Sequence, residues 1–251
     1  MPSFDSGGVT IEYLDEGEGP LVVLVHAFAS NRMVNWVNTS WVKTLTRSGR
    51  RVVALDNRGH GASEKLYDSN AYHPSEMAGD VINLFDHLGA EKAALIGYSM
   101  GSRISAFVAR AAPERLSALV LSGLAENLIK GVGGSEAIAA ALRAPSLEAV
   151  GDPGARAFRL FADQTGSDRE ALAACITATR QTLSETEVAQ IHVPTLVVVG
   201  SDDPIAGSAE ALAGLIEGAR AVTLPGREHM SAVGDRGHKE AVLAFLDEHG
   251  A

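Results

Sequence analysis

An apolar run, Ala93-Ala94-Leu95-Ile96, ends in Gly97-Tyr98-Ser99-Met100-Gly101, and a run of small, helix-prone residues follows. That order is a strand, a sharp turn and a helix, with a serine held at the turn. Glycine suits 97 and 101 because the turn brings backbones together and a side chain at either place would collide. The serine hydroxyl then projects past the sheet edge, toward which the first amides of the helix also point. On its own the pattern is weak, since the chain holds 26 glycines and small-residue turns recur in it. Its meaning depends on what surrounds it.

Read in order, strand-like and helix-like segments alternate. Val9 to Leu14 reads as an edge strand. Leu21 to Val25 and Val52 to Leu55 are uninterrupted β-branched and leucine runs, as expected of parallel strands buried on both faces. The first ends in His26-Ala27-Phe28-Ala29-Ser30-Asn31, where Ser30 or Asn31 caps a helix running to about Ser48. The second ends in Asp56-Asn57-Arg58-Gly59-His60-Gly61-Ala62-Ser63. Ser75 to Leu88 has Met77, Val81, Leu84, Phe85 and Leu88 at helical spacing. The Ser99 strand leads into a helix from Met100 to Ala112, and Leu116 to Leu121 is another strand.

Between about residues 125 and 185 the strand runs vanish. Alanine, leucine and phenylalanine recur at helical spacing instead, punctuated by Gly151-Asp152-Pro153-Gly154. Ser184-Glu185-Thr186-Glu187 fits a capping box and opens a further helix. Strands resume with Leu196 to Val199, followed by Gly200-Ser201-Asp202-Asp203-Pro204 and a helix over about Ser208 to Glu217. Ala221 to Leu224 is a last short strand, then come His229 and a helix over about Ser231 to Glu248. Such alternation implies an α/β fold with a mostly parallel sheet and helices on both faces. Ligands in these folds bind beyond the carboxyl ends of the strands. His26 to Ser30, Ser99, Asp203 and His229 all fall there.

Composition narrows the function classes. The 251 residues allow one large or two small domains. A net charge of −10 argues against a nucleic-acid partner. A single cysteine, Cys175, excludes an internal disulfide framework. No histidine pair or cysteine cluster has metal-ligand spacing, so no metal is expected. No apolar run reaches the roughly 18–20 residues that span a bilayer. The start, from Met1 to Gly8, lacks the pattern of a secretory signal, so a cytoplasmic location is expected.

The loops His26-x-Phe28, Asp56 to Ser63, Gly97 to Gly101 and Gly200 to Pro204, with the late His229, together resemble the α/β-hydrolase superfamily. The resemblance runs over nearly the whole chain. It implies an eight-stranded, mostly parallel sheet, with a core formed by residues 1–124 and 186–251 and a helical cap or lid formed by residues 125–185. It also implies a triad in the chain order Ser, Asp, His. Ser99 would be the nucleophile, Asp203 the orienting carboxylate, and His229 the general base and then acid. Family spacing after Gly200 selects Asp203, with Asp202 and Glu126 as the alternatives. The oxyanion hole would be the backbone N–H groups of Phe28 and Met100, with His26 and Ala27 supporting that loop. The resemblance implies a serine esterase working through an acyl-enzyme, with a small-molecule ester as substrate and no cofactor. Lactonases, C–C bond hydrolases, perhydrolases and acyltransferases share the pattern, and a ligand receptor on this fold is the reading from another class.

One position departs from the family pattern, which has glycine where this chain has Ala27. If that glycine sits at positive φ, alanine there is strained by about 1–2 kcal/mol. Otherwise the loop is turned so that alanine fits. Ala27→Gly is therefore expected to alter rate or substrate range. The inserted helices suggest a hydrophobic pocket, with Leu142, Phe158, Leu160 and Phe161 as lining candidates.

Overall fold

The structure is a computed structural model and describes residues 2–251. Eight strands form one sheet: β1 (Ser3–Ser6), β2 (Val9–Glu16), β3 (Leu21–Val25), β4 (Arg51–Leu55), β5 (Ala93–Tyr98), β6 (Leu116–Ser122), β7 (Thr195–Gly200) and β8 (Arg220–Leu224). Their order is β1-β2-β4-β3-β5-β6-β7-β8. β1 with β2 and β2 with β4 are antiparallel, and all later pairs are parallel.

The apolar runs explain the layering. In β3, Val23 and Val25 join one core, while Val22 and Leu24 join the other. A strand alternates faces, so an unbroken apolar run is stable only where both faces are covered. The helices supply that cover. α1 (Trp41–Arg47) and α11 (Arg236–Glu248) give Trp41, Leu45, Val242 and Leu246 to one face. α2 (Pro74–His87) and α3 (Met100–Ala111) give Val81, Leu84, Ile104 and Val108 to the other. Burying each such side chain contributes about 1.5–3 kcal/mol.

Five helices lie between β6 and β7: α4 (Asn127–Lys130), α5 (Ser135–Arg143), α6 (Pro153–Gln164), α7 (Arg169–Ala178) and α8 (Glu185–Ala189). Local chemistry starts them. Asp152 and Asp168 accept from the amides of Ala155 and Ala171, and the Ser184–Glu187 capping box is formed. The last stretch carries α9 (Ala209–Ala213) and α10 (His229–Ala232).

Four sequence expectations need correction. Val9–Glu16 is not the edge, because β1 lies outside it. β1 is short and polar, and it is held by Ser6 Oγ donating to the buried Asp80 at 2.6 Å. The helix expected from Ser30 to Ser48 is broken into a π-helical turn, Met33–Val37, and α1. Trp36 and Trp41 are both fully buried, with rings 6.0 Å apart edge to face. On one regular helix, residues five apart would point about 140° away from each other. The break places both in the core, with Ser40 at φ 66° making the corner. The helix expected from Ser208 to Glu217 shrinks to α9. The terminal helix is divided at Asp235, whose side chain caps α11.

Candidate active site

Ser99 sits between β5 and α3 at φ 55° and ψ −111°, a conformation an L-residue adopts at a cost of about 1–3 kcal/mol. Its neighbours hold it there. The Ser99 amide donates to Ser122 O at 2.7 Å. Ser102 Oγ donates toward Gly97 O and Ser122 O and accepts from the Ser122 amide at 2.8 Å. A Cβ on Gly97 would collide with the Gly101 backbone, and one on Gly101 with Val25 O. Both glycines are thus fixed by close backbone approach.

The loops after β7 and β8 bring two more groups to the serine. His229 Nε2 is 3.0 Å from Ser99 Oγ, and its Nδ1 is 2.7 Å from Asp203 Oδ2. Asp203 is fully enclosed at its side chain, and its Oδ1 accepts from the amides of Ile205 at 2.8 Å and Ala206 at 3.1 Å. A carboxylate held this way puts the imidazole proton on Nδ1 and leaves Nε2 to accept from the serine. The alternatives point elsewhere. Asp202 accepts from Ser201 Oγ in an exposed turn, and Glu126 pairs with Lys130. His229 opens α10 and is steadied by Tyr98, whose hydroxyl donates to His229 O at 2.5 Å.

Phe28 and Met100 border the same small cavity as Ser99, about 50 Å³ in volume. Neither amide donates to another protein group among the described residues. Both are therefore free to donate to a group in the cavity. His26 is fully buried and ties this loop to the next. Its Nδ1 faces Ala27 O at 2.7 Å, and its Nε2 accepts from the Asn57 amide at 3.0 Å. Burial lowers its pKa to about 4, which keeps the ring neutral. Ala27 donates its amide to Asn35 Oδ1 at 3.1 Å. It is not among the described residues with left-handed φ, so the strain contemplated for it is absent. The loop's left-handed residue is Ala29, at φ 57°.

Other motif residues are structural. Asp56 accepts from the amides of Arg32 and Ala62, and a Cβ on Gly61 would strike its carboxylate. Arg58 pairs with Asp80 at 2.7 Å. Of the four lining candidates, Phe158 borders the cavity with its ring 6.0 Å from Phe28. Leu142 is buried in the insertion, Leu160 is exposed, and Phe161 packs half-buried against the core.

The sequence reading missed several groups here. His238 lies fully buried, with Nε2 2.8 Å from Ser122 Oγ and Nδ1 3.0 Å from Ala232 O. It links the strand beside Ser99 to the helix carrying His229. Arg103, four residues after Ser99, and Arg180, just after α7, also border the cavity. The i, i+4 spacing from Ser99 is a legible signal for Arg103. Arg180 has none, since only the folding of the insertion brings it near.

Among the described residues no helix is long and apolar enough to cross a membrane. A family model described as the alpha/beta hydrolase fold matches residues 20–145. Epoxide hydrolase B of Mycobacterium tuberculosis is 38% identical over 106 residues, which are 41% of this chain and 28% of that protein. The chain thus spans about a quarter of that relative's length. A hydrolase structure from Pseudomonas aeruginosa PA01 is 29% identical with a TM-score of 0.81, covering 98% of this chain and 97% of its own. The enol-lactonase from Burkholderia xenovorans LB400 is 23% identical with a TM-score of 0.82, covering 98% and 100%, and shows likeness of fold.

Proposed function

The chain belongs to the alpha/beta hydrolase fold family, and from that premise we propose that it cleaves carboxylic esters through an acyl-enzyme on Ser99. The observation that carries this reading is the continuous relay from Ser99 Oγ to His229 to Asp203, with the serine on a cavity. Ser99 Oγ attacks the ester carbonyl as His229 Nε2 takes its proton. The oxyanion accepts from the Phe28 and Met100 amides, and losing one such donor costs about 2.7–4 kcal/mol. Collapse expels the alcohol, which leaves with the proton from His229. Water then gives its proton to His229 and attacks the acyl carbon, which frees the acid and Ser99.

Residues 125–185 act in this reading as a cap, since Val132, Phe158, Ile176 and Arg180 border the cavity from that side. The cavity has room for roughly four water-sized groups, taking about 10–15 Å³ for each. Short acyl chains therefore fit best. Lactones are cyclic esters and fall under the same chemistry.

The test is turnover of p-nitrophenyl acetate and butyrate. Wild type hydrolyses both, acetate at least as well as longer chains, and Ser99→Ala abolishes turnover. A fluorophosphonate probe adds its mass to Ser99 alone. Equal, slow hydrolysis by wild type and Ser99→Ala across an ester panel sinks the proposal.

A further inference from the structure

Two arginines in the Ser99 cavity lack carboxylate partners. Arg103 is only 3% exposed, and its one side-chain hydrogen bond among the described residues runs from Nη1 to Gln181 O at 2.5 Å. Arg180 is half-buried and donates only to the carbonyls of Val132 and Gly133. Neither takes part in an ion pair among the described residues, although the chain carries 31 acidic residues against 21 Lys and Arg. Carbonyl oxygens satisfy single N–H groups and leave both charges uncompensated.

That arrangement is costly in three ways. A buried cation without a counter-charge bears its desolvation unrelieved. The two guanidinium groups repel, and burial with the Arg180 charge lowers the Arg103 pKa to about 10. Arg103 also lies in the first turn of α3, where the helix dipole disfavours a cation. A folded chain keeps such a cluster where an anion completes it. Among the described residues the Nε and Nη2 groups of Arg103 meet no protein acceptor, and a guanidinium edge matches the two oxygens of a carboxylate.

We propose that Arg103 and Arg180 form an anion subsite beside Ser99, so that the preferred substrates are short esters whose acyl chain ends in a carboxylate. The hydrolytic part rests on the Ser99 reading; the anion subsite does not. The ester carbonyl sits at Ser99, and the acyl chain runs along Phe28 and Ile176 toward the two arginines.

The test compares monoethyl succinate with ethyl butyrate, which differ by carboxylate against methyl at the chain end. Wild type is expected to favour the succinate half-ester by roughly ten- to hundredfold in kcat/KM, the range of hydrogen bonds to a charged group. Arg103→Met and Arg180→Met each lower that preference at least fivefold, mainly through KM, and Arg103→Lys restores part of it. A wild type that prefers ethyl butyrate, or variants that lose both substrates in equal proportion, overturns the subsite. Calorimetry on the Ser99→Ala protein separates the two readings. Succinate should bind at least tenfold more tightly than succinamide, and the added Arg103→Met change should erase the difference. Selective succinate binding with no Ser99-dependent hydrolysis leaves the subsite standing and removes the esterase. Equal binding of acid and amide removes the subsite whatever the hydrolysis shows. Should Arg103→Met fail to fold, Arg180→Met carries the same comparisons from the half-buried side.

Discussion

At the scale of single residues, Asp203 and Asp202 make a sharp pair, because neighbours of identical chemistry face different surroundings. Asp203 spends one oxygen on two loop amides and the other on His229. Asp203→Asn removes the charge that stabilises the imidazolium and offers Nδ1 an amide of the wrong polarity. The expected loss in kcat is on the order of 10³–10⁴-fold. Asp202→Asn stays within a few-fold, and ester kinetics on both variants checks the contrast. The left-handed corner at Ala29 gives a second prediction. Ala29→Gly relieves about 1 kcal/mol of backbone strain and raises the urea midpoint. The freed loop holds the Phe28 amide less firmly, so kcat falls while stability rises. Ala27→Gly, which relieves no strain, lacks that gain in stability.

At the scale of elements, β5, its turn and α3 form one unit whose register depends on Gly97 and Gly101. Gly101→Ala drives a methyl into Val25 O and must separate α3 from β3. Such overpacking costs about 1–3 kcal/mol and moves the Met100 amide. The expected result is a lower thermal midpoint together with lost turnover, read by circular dichroism and ester assay. Much of this unit was legible in the sequence, since an apolar run ending in spaced glycines has few other uses. The same holds for β3, β4 and β7, whose β-branched runs declare burial on both faces. β1 was not legible, because Ser3-Phe4-Asp5-Ser6 is held by pairing with β2, by one buried ring, Phe4, and by a bond to Asp80, 74 residues away. The corner at Ser40 was hidden for a similar reason: it follows from two tryptophans sharing a core, not from a helix-breaking residue. In the site, order and motif pointed to Ser99, Asp203 and His229, which the fold brings within hydrogen-bond reach of one another. Arg180 and His238 are defined by what they meet across the fold.

At the scale of the whole molecule, three histidines are buried neutral: His26, His60 and His238. Burial lowers their pKa values to about 4, 3 and 4. In the unfolded chain they titrate near 6.5, so between that pH and the folded values the unfolded state binds more protons. Stability is then full above about pH 6.5 and falls as pH drops toward 4, with each histidine adding a slope of up to about 1.4 kcal/mol per pH unit. Urea midpoints measured from pH 7.5 to 4.5 should decline through that window. His238→Gln, which cannot titrate, should flatten the curve. A flat profile for wild type would show that these rings gain no protons on unfolding.

The insertion and the core are also joined by one hydroxyl. Thr165, at the end of α6, places its Oγ1 3.0 Å from Ala29 O, one residue beyond the Phe28 amide, and at the same distance from Phe161 O of its own helix. Any outward swing of α6 pulls on that carbonyl. The position of the Phe28 amide and the packing of the inserted helices are therefore coupled through that contact, and in the proposed ester hydrolysis a variant that removes it, Thr165→Val, is expected to lower kcat more than stability.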